Sequence, residues 1–188
     1  MDKAAVFIDG GYTAQVLKQH GSPRIDFLLL SDKLCSKIGA ERFRTYYYDC
    51  MPYKGDPPSE EESIRFRAKS TFITALKRNP RFEVRLGRLA RYARGGIVEF
   101  QQKGVDNQLS VDLALLSGRR DIQKAILITA DSDFVPAICA AKEAAVLCGL
   151  CFSRSFGRPH DQLYDLCDER FDLDELINEL KPTAAHKV

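Results

Sequence analysis

Short apolar runs alternate along the chain with longer stretches in which apolar positions recur every three or four residues. The runs at 4–8, 43–48, 82–89, 97–101, 125–128 and 146–152 are rich in β-branched and aromatic side chains and have strand length. Between them, 12–20, 26–38, about 60–77, about 104–116 and 135–145 carry the helical period, as does the acidic stretch 173–180. In 26–38 the apolar positions are Phe27, Leu28, Leu30, Leu34 and Ile38. Ser59 followed by Glu60, Glu61 and Glu62 reads as a capped helix start with an acidic first turn. Pro52, Gly55, Pro57 and Pro58 mark a loop at 51–59, Gly95-Gly96 a tight turn, and 153–161 a second loop. Strands alternating with helices predict a three-layer, Rossmann-like α/β fold, with a mostly parallel central sheet flanked by helices. Right-handed crossovers then bring the carboxyl ends of the parallel strands to one edge, where open α/β sheets bind ligands.

Five acidic positions fall on or near that edge. Asp9 ends the first run, and Asp131 and Asp133 follow the run 125–128. Asp112 lies beside Leu109, Leu115 and Leu116 at helical spacing, on or next to an apolar face where a carboxylate is costly unless paired or bound to a cation. Asp106 starts the same helix, as an N-cap or as a further wall of the crevice. Taken singly, Asp9 suits a turn and Asp131 or Asp133 a helix cap. Taken together, they repel unless a cation holds them. An all-oxygen ligand set selects a hard divalent ion, Mg²⁺ or Mn²⁺, and such sites serve phosphoryl chemistry.

Composition adds bounds. The chain of 188 residues suits one domain, and its 45% apolar and 29% charged residues are ordinary for a soluble globular protein. No run approaches the roughly 20 apolar residues of a membrane span. The start, Met1-Asp2-Lys3, leads into a strand with no signal-peptide pattern, so a cytoplasmic protein without a membrane partner is expected. Six cysteines are then expected as thiols. The Cys148-Gly149-Leu150-Cys151 spacing lies inside a strand-like run, which favours buried packing over zinc or redox chemistry.

The net charge of +2 conceals an asymmetry. From 65 to 103 the basic residues include Arg85, Arg88, Arg91, Arg94 and Lys103, against Glu83 and Glu99 alone. From 161 to 179 the acidic residues dominate, with Arg170 the single basic one. The basic middle, interleaved with Tyr92 and Phe100, suits phosphate contacts combined with base stacking. A solvated face, or pairing with the acidic tail of a second copy, is the competing reading. Arg154 and Arg158, with His160, follow the last core strand near the same edge. Lys103, just before the acidic helix, is placed to orient a phosphate or a carboxylate.

Three blocks resemble those of a known family: Phe7-Ile8-Asp9-Gly10, Lys103-Gly104-Val105-Asp106 with Asp112, and Ile128-Thr129-Ala130-Asp131-Ser132-Asp133-Phe134. In order and spacing they look like the signature blocks of NYN domains, in the LabA-like branch of the PIN-like nuclease superfamily. The resemblance covers roughly residues 4–155. It implies a metal-dependent ribonuclease, endonucleolytic, acting on single-stranded or structured RNA. Asp9, Asp112, Asp131 and Asp133 would be ligands of Mg²⁺ or Mn²⁺, with Asp106 lining the cluster. Many relatives carry an asparagine shortly after the first aspartate, where this chain has Tyr12. A non-catalytic RNA- or protein-binding module on the same fold is the alternative, and a phosphatase of the haloacid dehalogenase type ranks last, because Gly11 stands where its second aspartate belongs. The expected organisation is a nuclease domain over 1–155, a loop and acidic helix over 156–181 packed on or extending it, and a frayed tail over 182–188. A homo-oligomer is compatible with this layout.

Overall fold

The strand that ends in Asp9, β1 (Lys3–Asp9), lies inside a seven-stranded sheet. The computed structural model describes the backbone of residues 1–94 and 97–181, and their side chains except at 88 and 90–103. The expected Gly95-Gly96 turn and the tail 182–188 lie outside the described residues.

In chain order the elements are β1, α1 (Gly10–Gln19), α2 (Phe27–Lys37), β2 (Glu41–Cys50), α3 (Glu60–Lys77), β3 (Phe82–Arg94), β4 (Ile97–Lys103), α4 (Val105–Gly118), β5 (Lys124–Ile128), a 3-10 turn (Ser132–Phe134), α5 (Val135–Glu143), β6 (Leu147–Phe152), α6 (Asp161–Leu166), β7 (Glu169–Asp172) and α7 (Leu173–Leu180). The strand order is β4-β3-β2-β1-β5-β6-β7, with every pairing parallel except β3–β4. From β1 the chain moves outward through β2 and β3, then returns to lay β5 along the other side of β1. The switch point therefore falls between β1 and β5, which brings the ends of both expected acidic strands together.

Ala4 through Ile8 are wholly buried, which is why this run is apolar without alternation. Ala5, Phe7, Tyr46, Tyr48, Leu127 and Leu150 form one core face under α4, α5 and α6. Val6, Ile8, Tyr47, Ile126 and Ile128 form the other under α1, α2, α3 and α7. On the first face the rings of Phe7 and Tyr46 stack at 5.5 Å, and those of Tyr46 and Tyr48 at 6.4 Å. The three layers are those expected from the pattern, and no described helix is long and apolar enough to cross a membrane.

Two parts differ from the sequence expectation. First, β3 continues to Arg94 instead of ending near 89. Its first half, Phe82 to Gly87, pairs with β2, and its second half pairs with β4 from Arg88↔Lys103 to Arg94↔Ile97. The result is a two-stranded ribbon that runs past the carboxyl end of β2 and returns to it at Lys103. Backbone ladders hold such a ribbon, so apolar alternation did not reveal its length. Second, α6 and β7 occupy a region expected to be loop. The sequence of β7, Glu-Arg-Phe-Asp, has one apolar side chain, so it carries no strand pattern. Phe171 fits because it lies over Gly149, where a Cβ would stand 2.9 Å from the ring.

The Cys148/Cys151 pair sits on β6 at odd spacing, which sends the two side chains to opposite faces of the sheet. Cys148 belongs to one core and Cys151 to the other. All six cysteines are free thiols. Burial pushes Cys148 up to about 12 and raises Cys151 as well. Neither the spacing nor the ionisation suits a shared metal or a redox pair.

Candidate active site

Asp9 occupies two roles at once, last residue of β1 and N-cap of α1. Its Oδ1 accepts from the Tyr12 amide at 3.0 Å, and its backbone carbonyl accepts from the Thr13 hydroxyl at 2.7 Å. Gly10 can follow it because the turn presses against β2. A Cβ there would meet Asp49 Oδ2 at 2.6 Å and the Tyr48 carbonyl at 2.7 Å. Asp49 itself is buried, accepts from the Cys50 amide and pairs with Lys69 of α3. It is thus a packed support behind the turn.

Thr129 joins the two strand ends. Its hydroxyl donates to Asp9 Oδ2 at 3.1 Å and accepts from the Asp131 amide at 3.1 Å. Asp131 in turn caps the 3-10 turn, its Oδ1 accepting from the Asp133 amide at 2.9 Å. The cap reading of Asp131 therefore holds, and the Thr129 hydroxyl links its amide to Asp9. Sequence reasoning did not single out Thr129. The available signal was a hydroxyl closing an apolar strand, since a buried hydroxyl needs partners.

Asp106 arrives from α4. The helix is capped by Gly104 in the left-handed region (φ 85°), with no side-chain cap bond, so Asp106 stands in the first turn and not at the N-cap. Burial raises the pKa of Asp9, against the hydrogen bonds from Tyr12 and Thr129; the charges of Asp106 and Asp131 raise it further. Asp106 is raised by burial, then by Asp131 and Asp133. Electrostatics thus ties Asp9, Asp106, Asp131 and Asp133 into one group, and no Lys or Arg pairs with any of them among the described residues. The donors are all oxygens, which fits Mg²⁺ or Mn²⁺ by chemistry. Among the described residues, however, no three Asp, Glu, His or Cys side chains are gathered as a ready metal site. Asp9 and Asp131 are oriented by hydrogen bonds, whereas Asp106 and Asp133 are exposed.

Asp112 has other neighbours. It lies six residues beyond Asp106, about 9 Å along the helix axis. Its Oδ2 accepts from the Tyr48 hydroxyl at 2.8 Å and faces Arg85 Nε at 3.4 Å. This explains how a carboxylate is tolerated beside an apolar helix face: a phenol and a guanidinium stabilise it there. The charges that act on Asp106 are those of Asp131 and Asp133, not of Asp112.

The basic residues divide into three sets. Arg85 is held between Asp112 and Glu83. Arg154 pairs with Asp172 at 3.2 Å. Arg158 pairs with Asp161 at 3.1 Å and lies 4.3 Å over the Tyr164 ring, though both guanidinium side chains remain over half exposed. His160 caps α6 through Nδ1. Arg88, Arg91 and Arg94 lie on β3 and Lys103 on β4, so the backbone places all four on the projecting ribbon. Their side chains lie outside the described set.

Tyr12, the departure from the resembled pattern, is a structural strut. Its hydroxyl accepts from the Ser153 amide at 2.8 Å, and its ring meets Phe156 edge-on at 5.8 Å. Burial pushes its pKa up to about 12.

A search of curated proteins gives no match to the chain. The NYN domain, whose fold is nuclease-like, matches residues 3–174, from the first residue of β1 into α7. The match spans most of the chain and agrees with the three-layer sheet: the chain belongs to the NYN domain family.

Proposed function

We propose that the chain is a metal-dependent ribonuclease that cleaves RNA internally at the aspartate cluster. One observation carries the reading: at the sheet edge the pKa of Asp9 is raised by burial and by the charges of Asp106 and Asp131, and that of Asp106 by burial and by Asp131 and Asp133, with no cation paired to any of the four among the described residues. A group that only bound phosphates would gain nothing from this local negative field. Asp9 and Asp131, held in place through Thr129, would bind Mg²⁺ or Mn²⁺, with Asp133 and Asp106 completing the oxygen set. When bound, the ion stabilises the charge that builds on the phosphate. Asp106, exposed and with its pKa raised by burial and by the neighbouring Asp131 and Asp133, would accept the proton of the attacking water. The arginines of the ribbon, with Lys103, Arg154 and Arg158, supply phosphate contacts along the strand. Asp112, expected from the resemblance among the ligands, is assigned to holding Arg85.

Cleavage of an end-labelled RNA in Mg²⁺ or Mn²⁺, with internal products, tests the proposal. Full activity in Asp9→Asn or Asp131→Asn would overturn the site. One observation favours a rival, a non-catalytic RNA-binding module: among the described residues no three acidic, His or Cys side chains form a ready metal site. That rival predicts salt-dependent RNA binding with no product in either metal.

A further inference from the structure

The part of β3 that pairs with β2, Phe82 to Gly87, has no strand partner on its outer side among the described ladders, because pairing with β4 begins only at Arg88. α4 lies along that open edge. Between them is a cavity of about 510 Å³, within the range of small-ligand sites, roughly 300–1,000 Å³. From the strand side it is lined by residues 84–86. Val84 and Leu86 pack against the core on the other face of the sheet, so what they offer the cavity is peptide edge. From α4 come Asn107, Gln108, Val111 and Asp112. The amides of Asn107 and Gln108 are exposed and bind no other side chain among the described residues.

Arg85 completes the wall. Asp112, itself bound by Tyr48, and Glu83 both lie 3.4 Å from its guanidinium nitrogens, and its side chain remains 41% exposed. Glu83 is shared with Arg44, so among the described residues two carboxylates balance two guanidiniums and leave the cavity with no excess positive charge, which argues against a phosphate as its occupant. Free amides and an unpaired peptide edge argue against an aliphatic one. What these groups match is a flat, uncharged ring with alternating donors and acceptors on its rim. Primary amides carry both functions, and proteins read unstacked RNA bases on just such edges, often against an arginine plane.

We propose that this cavity is a base-binding subsite for single-stranded RNA, with Asn107 and Gln108 reading the base edge and Arg85, positioned by Asp112, lying against the base. The proposal rests on the nuclease reading for its substrate class. Asp106 and Gln108 lie two residues apart on α4, about 200° around the helix, so the cluster and the cavity flank its N-terminal end roughly 10 Å apart. A nucleotide whose phosphate lies at the cluster reaches the cavity with its neighbour's base.

Fluorescence anisotropy with labelled oligo(A), oligo(C) and oligo(U), in buffer containing EDTA, tests the subsite apart from catalysis. The wild-type chain should separate the best from the worst of the three by about tenfold in Kd. In the double variant Asn107→Ala/Gln108→Ala the three should converge to within about twofold, with the salt dependence of binding unchanged, since no phosphate contact is removed. Both substitutions are at exposed helical positions where Ala favours the fold. Equal binding of all three by the wild-type chain, or discrimination that survives the double variant, would overturn the subsite. Discrimination that depends on the amides, together with no cleavage in Mn²⁺, supports the subsite and removes the nuclease reading. Cleavage with equal binding removes the subsite alone.

Discussion

Asp9 shows how one side chain can be read three ways and satisfy all of them: strand end, helix cap and member of a charged cluster. Its raised pKa has a consequence for stability. Folding disfavours its ionised form, a penalty fully present above the folded-state pKa and gone below the ordinary value of 3.8. Asp9→Asn keeps the cap and removes the penalty. In EDTA at neutral pH its Tm should equal or exceed that of the wild type, the difference vanishing in acid, while cleavage falls at least about 100-fold. A large loss of Tm would show that the carboxylate is structural instead. Thr129→Val tests the hydroxyl that couples the two strand ends. Leaving the Asp131 amide without its partner should cost about 1–3 kcal/mol in chemical denaturation. Metal affinity, read by titration calorimetry, should drop about 10–100-fold, with Thr129→Ser restoring most of it.

At the scale of elements, the site depends on what stands behind its turns. Gly10 presses on β2 with no space for a methyl group, so Gly10→Ala should cost about 1–3 kcal/mol by overpacking and displace Asp9, lowering kcat as well as Tm. The loop after β6 is tied to α7 by Asp174. Burial opposes the ionisation of this carboxylate, but hydrogen bonds from the Ser153 hydroxyl, the Ser155 amide and His20 outweigh it and hold its pKa at about 2. Because the folded value lies below 3.8, the stabilisation is complete above 3.8 and is lost as pH falls toward about 2. Asp174→Asn should therefore lower stability by about 1–2 kcal/mol near neutrality. It should also flatten the acid limb of Tm against pH in that window. Tyr12 reaches the same loop from α1, so the residue that departs from the resembled pattern serves the scaffold.

For the whole molecule, a net charge of +2 hides a basic middle and an acidic end. The fold places these apart: the ribbon carries Arg88, Arg91 and Arg94 beyond the carboxyl end of β2, whereas the acidic residues serve α6, β7 and α7 as caps and ion pairs. If the ribbon contacts RNA phosphates, the double variant Arg91→Ala/Arg94→Ala should reduce the slope of log K against log salt by about 2. An unchanged slope would place the RNA elsewhere.

The sequence by itself determined the three-layer fold, because fully buried parallel strands must be apolar throughout and capped helices announce their starts, and its three motif blocks carried the resemblance to the NYN family. It also placed Asp9 at the end of one strand and Asp131 just after another; that the two strands are neighbours at the switch point was decided by the sheet order. Tertiary structure alone decided the rest. Asp106 and Asp112 share a helix, yet only the packing of α4 beside β2 and β3 turns one toward the cluster and gives the other to Tyr48 and Arg85. The extension of β3 to Arg94 and the strand β7 are held by backbone pairing, which leaves no apolar signature. The roles of Thr129 and Tyr12 come from partners 120 and 141 residues away, contacts that no local pattern encodes.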